Sequence, residues 1–240
     1  MDTVTACAVR LTEDVGVPVE VSVSSRSSRM TMRMDVATGG VRVSVPRQSS
    51  ASGVMAFVRS HEGWIRAHAA RMPERVRLLP GTAIPVLGVE RRIRQDMCTR
   101  SAARLHDGAD GPEIVVGRTE FPENRVVDLL KEEARRHLAA LTRQKAAAIG
   151  RQAAGVTVKD TTSRWGICAP DGSIAYSWRI VLAPLDVTDY LVAHEVAHLE
   201  QMNHGPRFWR VCRSLSAMSP ERADAWLSFH GKRLLRHGPP

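Results

Sequence analysis

Three residue types in one short stretch can do chemistry together. His194-Glu195-Val196-Ala197-His198 places two imidazoles four residues apart with a carboxylate beside the first. On a helix, positions four apart stand one turn apart on the same face, so both rings can bind a single tetrahedral ion. Glu195 projects toward the neighbouring edge, where a carboxylate can take a proton from an activated water. With the chain's 9 His and 13 Glu, chance would give such a pattern ~0.02 times in a sequence of this length, so the match is informative. Its flanks support it. Tyr190, Leu191, Val192, Ala193, Val196, Ala197 and Leu199 make the helix apolar nearly all round, which buries it. Two histidines and a carboxylate buried there need partners, and a metal supplies them.

A third ligand is needed. His204 follows His198 by six residues, about 600° of helical rotation, and would face away in a continuous helix. The helix must therefore end between about Gln201 and Asn203. Asn203 tolerates the left-handed conformation used at helix C-termini, and Gly205-Pro206 stops the same helix from resuming. The competing third ligand is a carboxylate from a later helix, Glu221 or Asp224.

The elements that must position these groups fall into two halves. Residues 17–121 read as β-rich after a short tail over 1–16. Alternating patterns over Val17–Val23, Met30–Val36 and Val41–Val45 predict strands, and Ser49–Met72 predicts one helix. Ile84–Ile93 and Glu113–Val116 predict two more strands, with Arg100–Pro112 an exposed loop between them. From Pro122 onward the character changes and a catalytic half is expected over residues 122–240. Glu123–Ile149 predicts one long helix. Strands follow at Val156–Lys159, Ser163–Ala169 and Ser173–Leu182, the last two joined by a turn at Pro170-Asp171-Gly172. Helices then run over Pro184 to about Met202, Pro206–Ser216 and Pro220 to about Arg236, each with proline at or near its start.

Bulk properties exclude some classes. No stretch approaches eighteen consecutive apolar residues, and no basic-then-apolar leader opens the chain, so cytoplasmic residence is expected. Cys7, Cys98, Cys168 and Cys212 form no C-x-x-C pair and read as free thiols. The net charge of +9 favours polyanions. However, 30 of the 34 basic residues are arginine and no run of five occurs. Coding-DNA composition accounts for that skew as well as a nucleic-acid partner would.

Several longer blocks resemble a known family. They are Arg164-Trp165-Gly166-Ile167-Cys168, Ser177 to Pro184, Asp189 to His198, and Asn203 to Trp209, with Phe57 to Ile65 upstream. Together they resemble the YgjP-like metallopeptidases, relatives of the SprT-like and WLM zinc peptidases. The resemblance implies an α+β fold with a zincin-type catalytic half: a long backing helix, a small antiparallel sheet and a metal-binding helix. It implies Zn2+ on His194, His198 and His204, with Glu195 as catalytic base and a peptide or protein as substrate. Ile167 and Ser177 depart from the family's usual Ser and Asn, at positions that are not ligands. Arg164, Trp165 and Arg179 are candidate substrate contacts, although Trp165 and Trp178 suit a hairpin core better. Cys168 reads as a small buried hydrophobe. Two other functions remain open: hydrolysis of a nucleotide phosphoanhydride at the same site, and a non-catalytic nucleic-acid-binding protein with structural zinc. Glu195 argues against the last, because a closed structural site needs no base.

Overall fold

The computed structural model describes residues 11–239, which divide into two compact units, up to Glu74 and from Arg75 to Pro239. In the first unit, β1 (Val19–Ser24), β2 (Thr31–Asp35) and β3 (Gly40–Pro46) form a sheet of order β1-β3-β2. β3 runs parallel to β1 and antiparallel to β2. Val41, Val43 and Val45 alternate along β3, so all three turn to one face, where they pack with Val54, Val58 and Ile65. The single helix expected over Ser49–Met72 is two, α1 (Ala51–Ser60) and α2 (Glu62–Ala69), broken at His61. There the Ser60 hydroxyl and the His61 ring both bond back to the Phe57 carbonyl, at 2.8 Å each, and draw the chain out of helical register.

The second unit opens with a four-stranded sheet: β4 (Ala83–Val86), β5 (Val89–Asp96), β6 (Arg104–Gly108) and β7 (Gly111–Gly117), in the order β4-β5-β7-β6. The strand expected over Ile84–Ile93 is a hairpin. Leu87 (φ 50°) and Gly88 (φ 79°) both adopt the left-handed conformation that a two-residue primed turn requires. A leucine seldom signals such a turn, which is why the break is invisible in the pattern. β6 lies within the segment expected to be a loop. Its short polar sequence pairs with β7 across Gly111 at φ 107°.

Helix α3 (Pro122–Ala148) spans 27 residues, as its periodicity predicts. Its buried face, including Val126, Leu130 and Leu138, shares one core with Ile84, Ile93 and Ile114 of the sheet and with Tyr176, Val192 and Val196 beyond it. That shared core puts the division between compact units at Glu74/Arg75, upstream of the change of character at Pro122.

β8 (Gly155–Lys159), β9 (Gly166–Cys168) and β10 (Ser173–Ser177) form a sheet of order β8-β10-β9. β10 is parallel to β8 and antiparallel to β9, leaving β9 on an edge. Gly172 (φ 82°) makes the β9–β10 turn as expected. The chain does not continue as strand to Leu182: residues Trp178–Leu182 coil into 3-10 turns, every one buried. A short apolar run buried on all sides carries no period by which strand and helix could be told apart. Helices α4 (Leu185–Ala197), α5 (Pro206–Leu215) and α6 (Pro220–Leu234) complete the unit. The result is a mixed α/β chain with three small sheets, an α+β fold of zincin type. Among the described residues no helix is long and apolar enough to cross a membrane.

Candidate metal centre

α4 is buried along most of its length, with Val187, Val192, Ala193 and Val196 fully enclosed. That burial fixes the rotation of the helix and sends His194 and His198 to the same side, their ring centroids 5.1 Å apart. α4 stops at Ala197, several residues short of the expected end near Met202. Successive turns follow, with Leu199 N–H bonding to the Val196 carbonyl and Gln201 N–H to that of Ala197, both at 3.0 Å. Asn203 is not left-handed; among the described non-glycine residues only Leu87 has positive φ. The reversal is made by this run of turns and by Gly205, which is extended (φ −82°, ψ −178°) before Pro206 opens α5. His204 returns to lie 5.0 Å from the His194 ring and 4.8 Å from that of His198.

The three imidazoles each offer one nitrogen, all within 4.8 Å of one another, and could hold a metal ion. Nε2 of His204 and Nε2 of His194 are 3.1 Å apart. Two nitrogens on one tetrahedral zinc stand about 3.3 Å apart, given Zn–N bonds of about 2.0–2.1 Å, so the pair fits. His198 Nδ1 lies 3.2 Å from the Gln201 carbonyl. A carbonyl only accepts, so Nδ1 carries the proton and donates it, leaving Nε2 with a free lone pair, a second contact of the kind that orients ligating histidines. Burial pushes the His194 imidazole down to about 4, with the neighbouring His198 and His204 adding to the effect. A ring that resists protonation is a ring available as a ligand.

Glu195 is 5% exposed. Burial raises its carboxyl to about 7, against the opposing pull of the Cys168 backbone N–H and of Arg164. The side chain lies directly on Gly166 of β9: a Cβ there would stand 2.5 Å from Oε1 and 2.7 Å from Cγ. Sequence reading assigns Gly166 no role of its own, because a tertiary approach leaves no local pattern.

Two aromatic residues of α5 wall the site. Phe208 is fully buried, with its centroid 5.0, 4.6 and 4.5 Å from those of His194, His198 and His204. Trp209 lies 5.7 Å from His204. Their signal in the sequence is Pro206, which fixes where α5 starts and hence which side chains its first turn presents. The alternative ligands are engaged elsewhere: Asp224 accepts from the Tyr190 hydroxyl at 3.4 Å, and Glu221 pairs with Arg213 at 3.1 Å.

The candidate substrate contacts separate. Arg164 is exposed and Trp165 is half-buried, its ring against Gly231. Arg179 is 4% exposed, paired with Asp160 and stacked 4.4 Å from the Trp178 ring. A guanidinium so enclosed is engaged within the fold, while Arg164 faces solvent. Trp178 and Cys168 are both buried.

A mixed α/β unit that gathers three imidazoles beside a buried carboxylate belongs among the metal-dependent hydrolases. Residues 30–229 match the family model described as YgjP-like, metallopeptidase domain, and the chain belongs to this family. No curated protein and no solved structure matches it.

Proposed function

We propose that this chain is a zinc peptidase in which His194, His198 and His204 hold the ion and Glu195 is the general base. The observation that carries the reading is the convergence of three imidazole nitrogens within 4.8 Å next to a carboxylate that is 5% exposed. Three neutral nitrogen donors suit zinc and leave a fourth position open for chemistry. When bound, the ion supplies Lewis acidity at the scissile carbonyl and acidifies the attacking water.

The remaining work belongs to the protein's own groups. Glu195 takes a proton from the water and passes it to the leaving amine, and a proton affinity near neutrality suits a group that must do both. Gly166 leaves the room that the carboxylate occupies, and the Cys168 N–H orients it. Phe208 shields one side of the imidazoles from water. β9, on the edge of its sheet, offers a border along which an extended substrate strand can lie.

The test pairs metal analysis of the purified protein with hydrolysis assays on casein-like peptides and on nucleoside triphosphates, for wild type and Glu195→Gln. The amide keeps the shape and removes the base. The variant should retain its zinc and its fold and lose at least ~10²-fold in turnover. Loss of zinc instead would make Glu195 a ligand. Turnover of nucleotides with no peptide cleaved would move the reaction to phosphoanhydrides.

A further inference from the structure

The start of β9 is flanked by charge of one sign. Two cavities of about 180 and 200 Å³ share Ser163 and Arg164 in their walls. The first is bounded by Lys159 and Gly166, the second by Ser228 and Lys232, and neither has an aspartate or glutamate in its lining. Several other basic side chains of this unit are paired: Lys145 with Asp189, Arg179 with Asp160, Arg207 with Glu200 and Arg213 with Glu221. Among the described residues Lys159, Arg164 and Lys232 form no such ion pair. Gly166 closes one cavity and at the same time touches the Glu195 carboxylate, so the basic cleft adjoins the proposed reacting centre.

We propose that this cleft is a carboxylate-recognition subsite, taking an acidic side chain or the terminal carboxylate of a peptide on the Gly166 side of the scissile bond. The inference rests on the peptidase reading above. Cations gathered along a cleft focus their field into it and draw anions in. Arg164 can grip a carboxylate with two parallel N–H donors, and Ser163 and Ser228 add hydroxyls. One exposed ion pair changes affinity only about two- to fivefold, so two or three acting together give about tenfold. The cavities lie beyond Gly166 at one end of β9, so the preference should be one-sided.

Zinc-loaded Glu195→Gln protein binds without turning over, so affinity can be read directly by fluorescence anisotropy on labelled peptides. The peptides are identical except for Glu, Gln or Lys placed in turn at each position flanking the scissile bond, with a matched C-terminal acid and amide pair. Wild-type protein is assayed for cleavage of the same set. Glu should bind about tenfold tighter than Gln, and Lys weaker than Gln, on one side of the bond only. The advantage should shrink as salt is raised. It should fall to about onefold in the Arg164→Ala/Lys232→Ala background, which should keep its zinc and melting temperature. If only the acid and amide pair differ, the recognised group is the chain end; if internal Glu also counts, it is the side chain. Equal binding of the Glu and Gln peptides together with equal binding of the acid and amide pair, discrimination on both sides alike, or discrimination that survives the double substitution overturns the subsite. Wild type that cleaves without regard to charge removes the subsite and leaves the peptidase. Cleavage of none of the peptides takes down both.

Discussion

The carboxylate of Glu195 rests against the backbone of Gly166 so closely that even a methyl group at 166 would stand 2.5 Å from Oε1. α4 carries one partner and β9 the other, so the contact sets how near the helix and the strand edge can approach. Gly166→Ala should therefore destabilise the protein by about 1–3 kcal/mol, the range for overpacking a filled site. In a Glu195→Ala background most of that cost should vanish, because the atoms it meets are gone. A double-mutant cycle by urea unfolding reads the coupling directly. An undiminished cost in the Glu195→Ala background would place the clash elsewhere.

His194, His198 and His204 converge without any carboxylate among them. Alanine at each position should lower bound zinc well below one equivalent after dialysis. Full stoichiometric zinc in His204→Ala would redirect attention to Asp224 or Glu221 and to release of Asp224 from the Tyr190 hydroxyl.

The metal-free protein should lose stability as pH falls from 7 to 5. Burial is the first cause of lowered proton affinity at His137, His194, His198 and His237, and it brings His194 to about 4. Below about 6.5 the unfolded chain takes up protons on these rings that the folded chain does not, so acidification favours unfolding. Glu195 works the other way. Its folded value of about 7 exceeds the unfolded one, so it binds a proton on folding between about 4.5 and 7 and offsets part of the loss. Urea midpoints should fall with acidification, and fall more steeply in Glu195→Gln. A flat profile in both would show that the rings are solvated.

Thiol reactivity should separate the cysteines by burial. Cys168 and Cys212 are buried and each is pushed up to about 11, burial being the first cause. Both are thiols at pH 8, and a thiol is a poor nucleophile. Cys98 is exposed. Brief alkylation at pH 8 in native buffer should label Cys98 and spare Cys168 and Cys212, as peptide mass spectrometry would record. Rapid labelling of Cys168 would mean that β9 opens from the site.

The gathering of the three histidines was legible in large part because its information is local. Two histidines one turn apart on an apolar helix specify a shared face, and Gly205-Pro206 keeps the same helix from resuming beyond His204. The means of return was not legible: Asn203 looked like the reversal point, yet ordinary turns after Ala197 do the work. Long periodic elements such as α3 read well, while the Leu87-Gly88 turn and polar β6 did not: a leucine seldom takes a left-handed turn position, and β6 is too short and polar to show an apolar alternation. Arg179 and Gly166 show another limit. An arginine beside a tryptophan says nothing of the Asp160 that encloses it, and a glycine says nothing of the carboxylate that arrives from another element.

The second unit begins and ends at one place. Val76 N–H donates to the Arg236 carbonyl at 3.0 Å, and Gly238 N–H donates to Val76 at 3.1 Å, so the chain leaves the unit beside where it entered. Adjacent ends mean that the order of elements along the chain is separable from their arrangement in space. Joining residue 239 to residue 75 through a short linker and cutting at the turn between β6 and β7 would preserve every buried contact of the three-imidazole site. The three-imidazole site would then read in a new sequence order, with α4 behind β7 but ahead of β4, β5 and β6, and would demand nothing of its surroundings but the same neighbours.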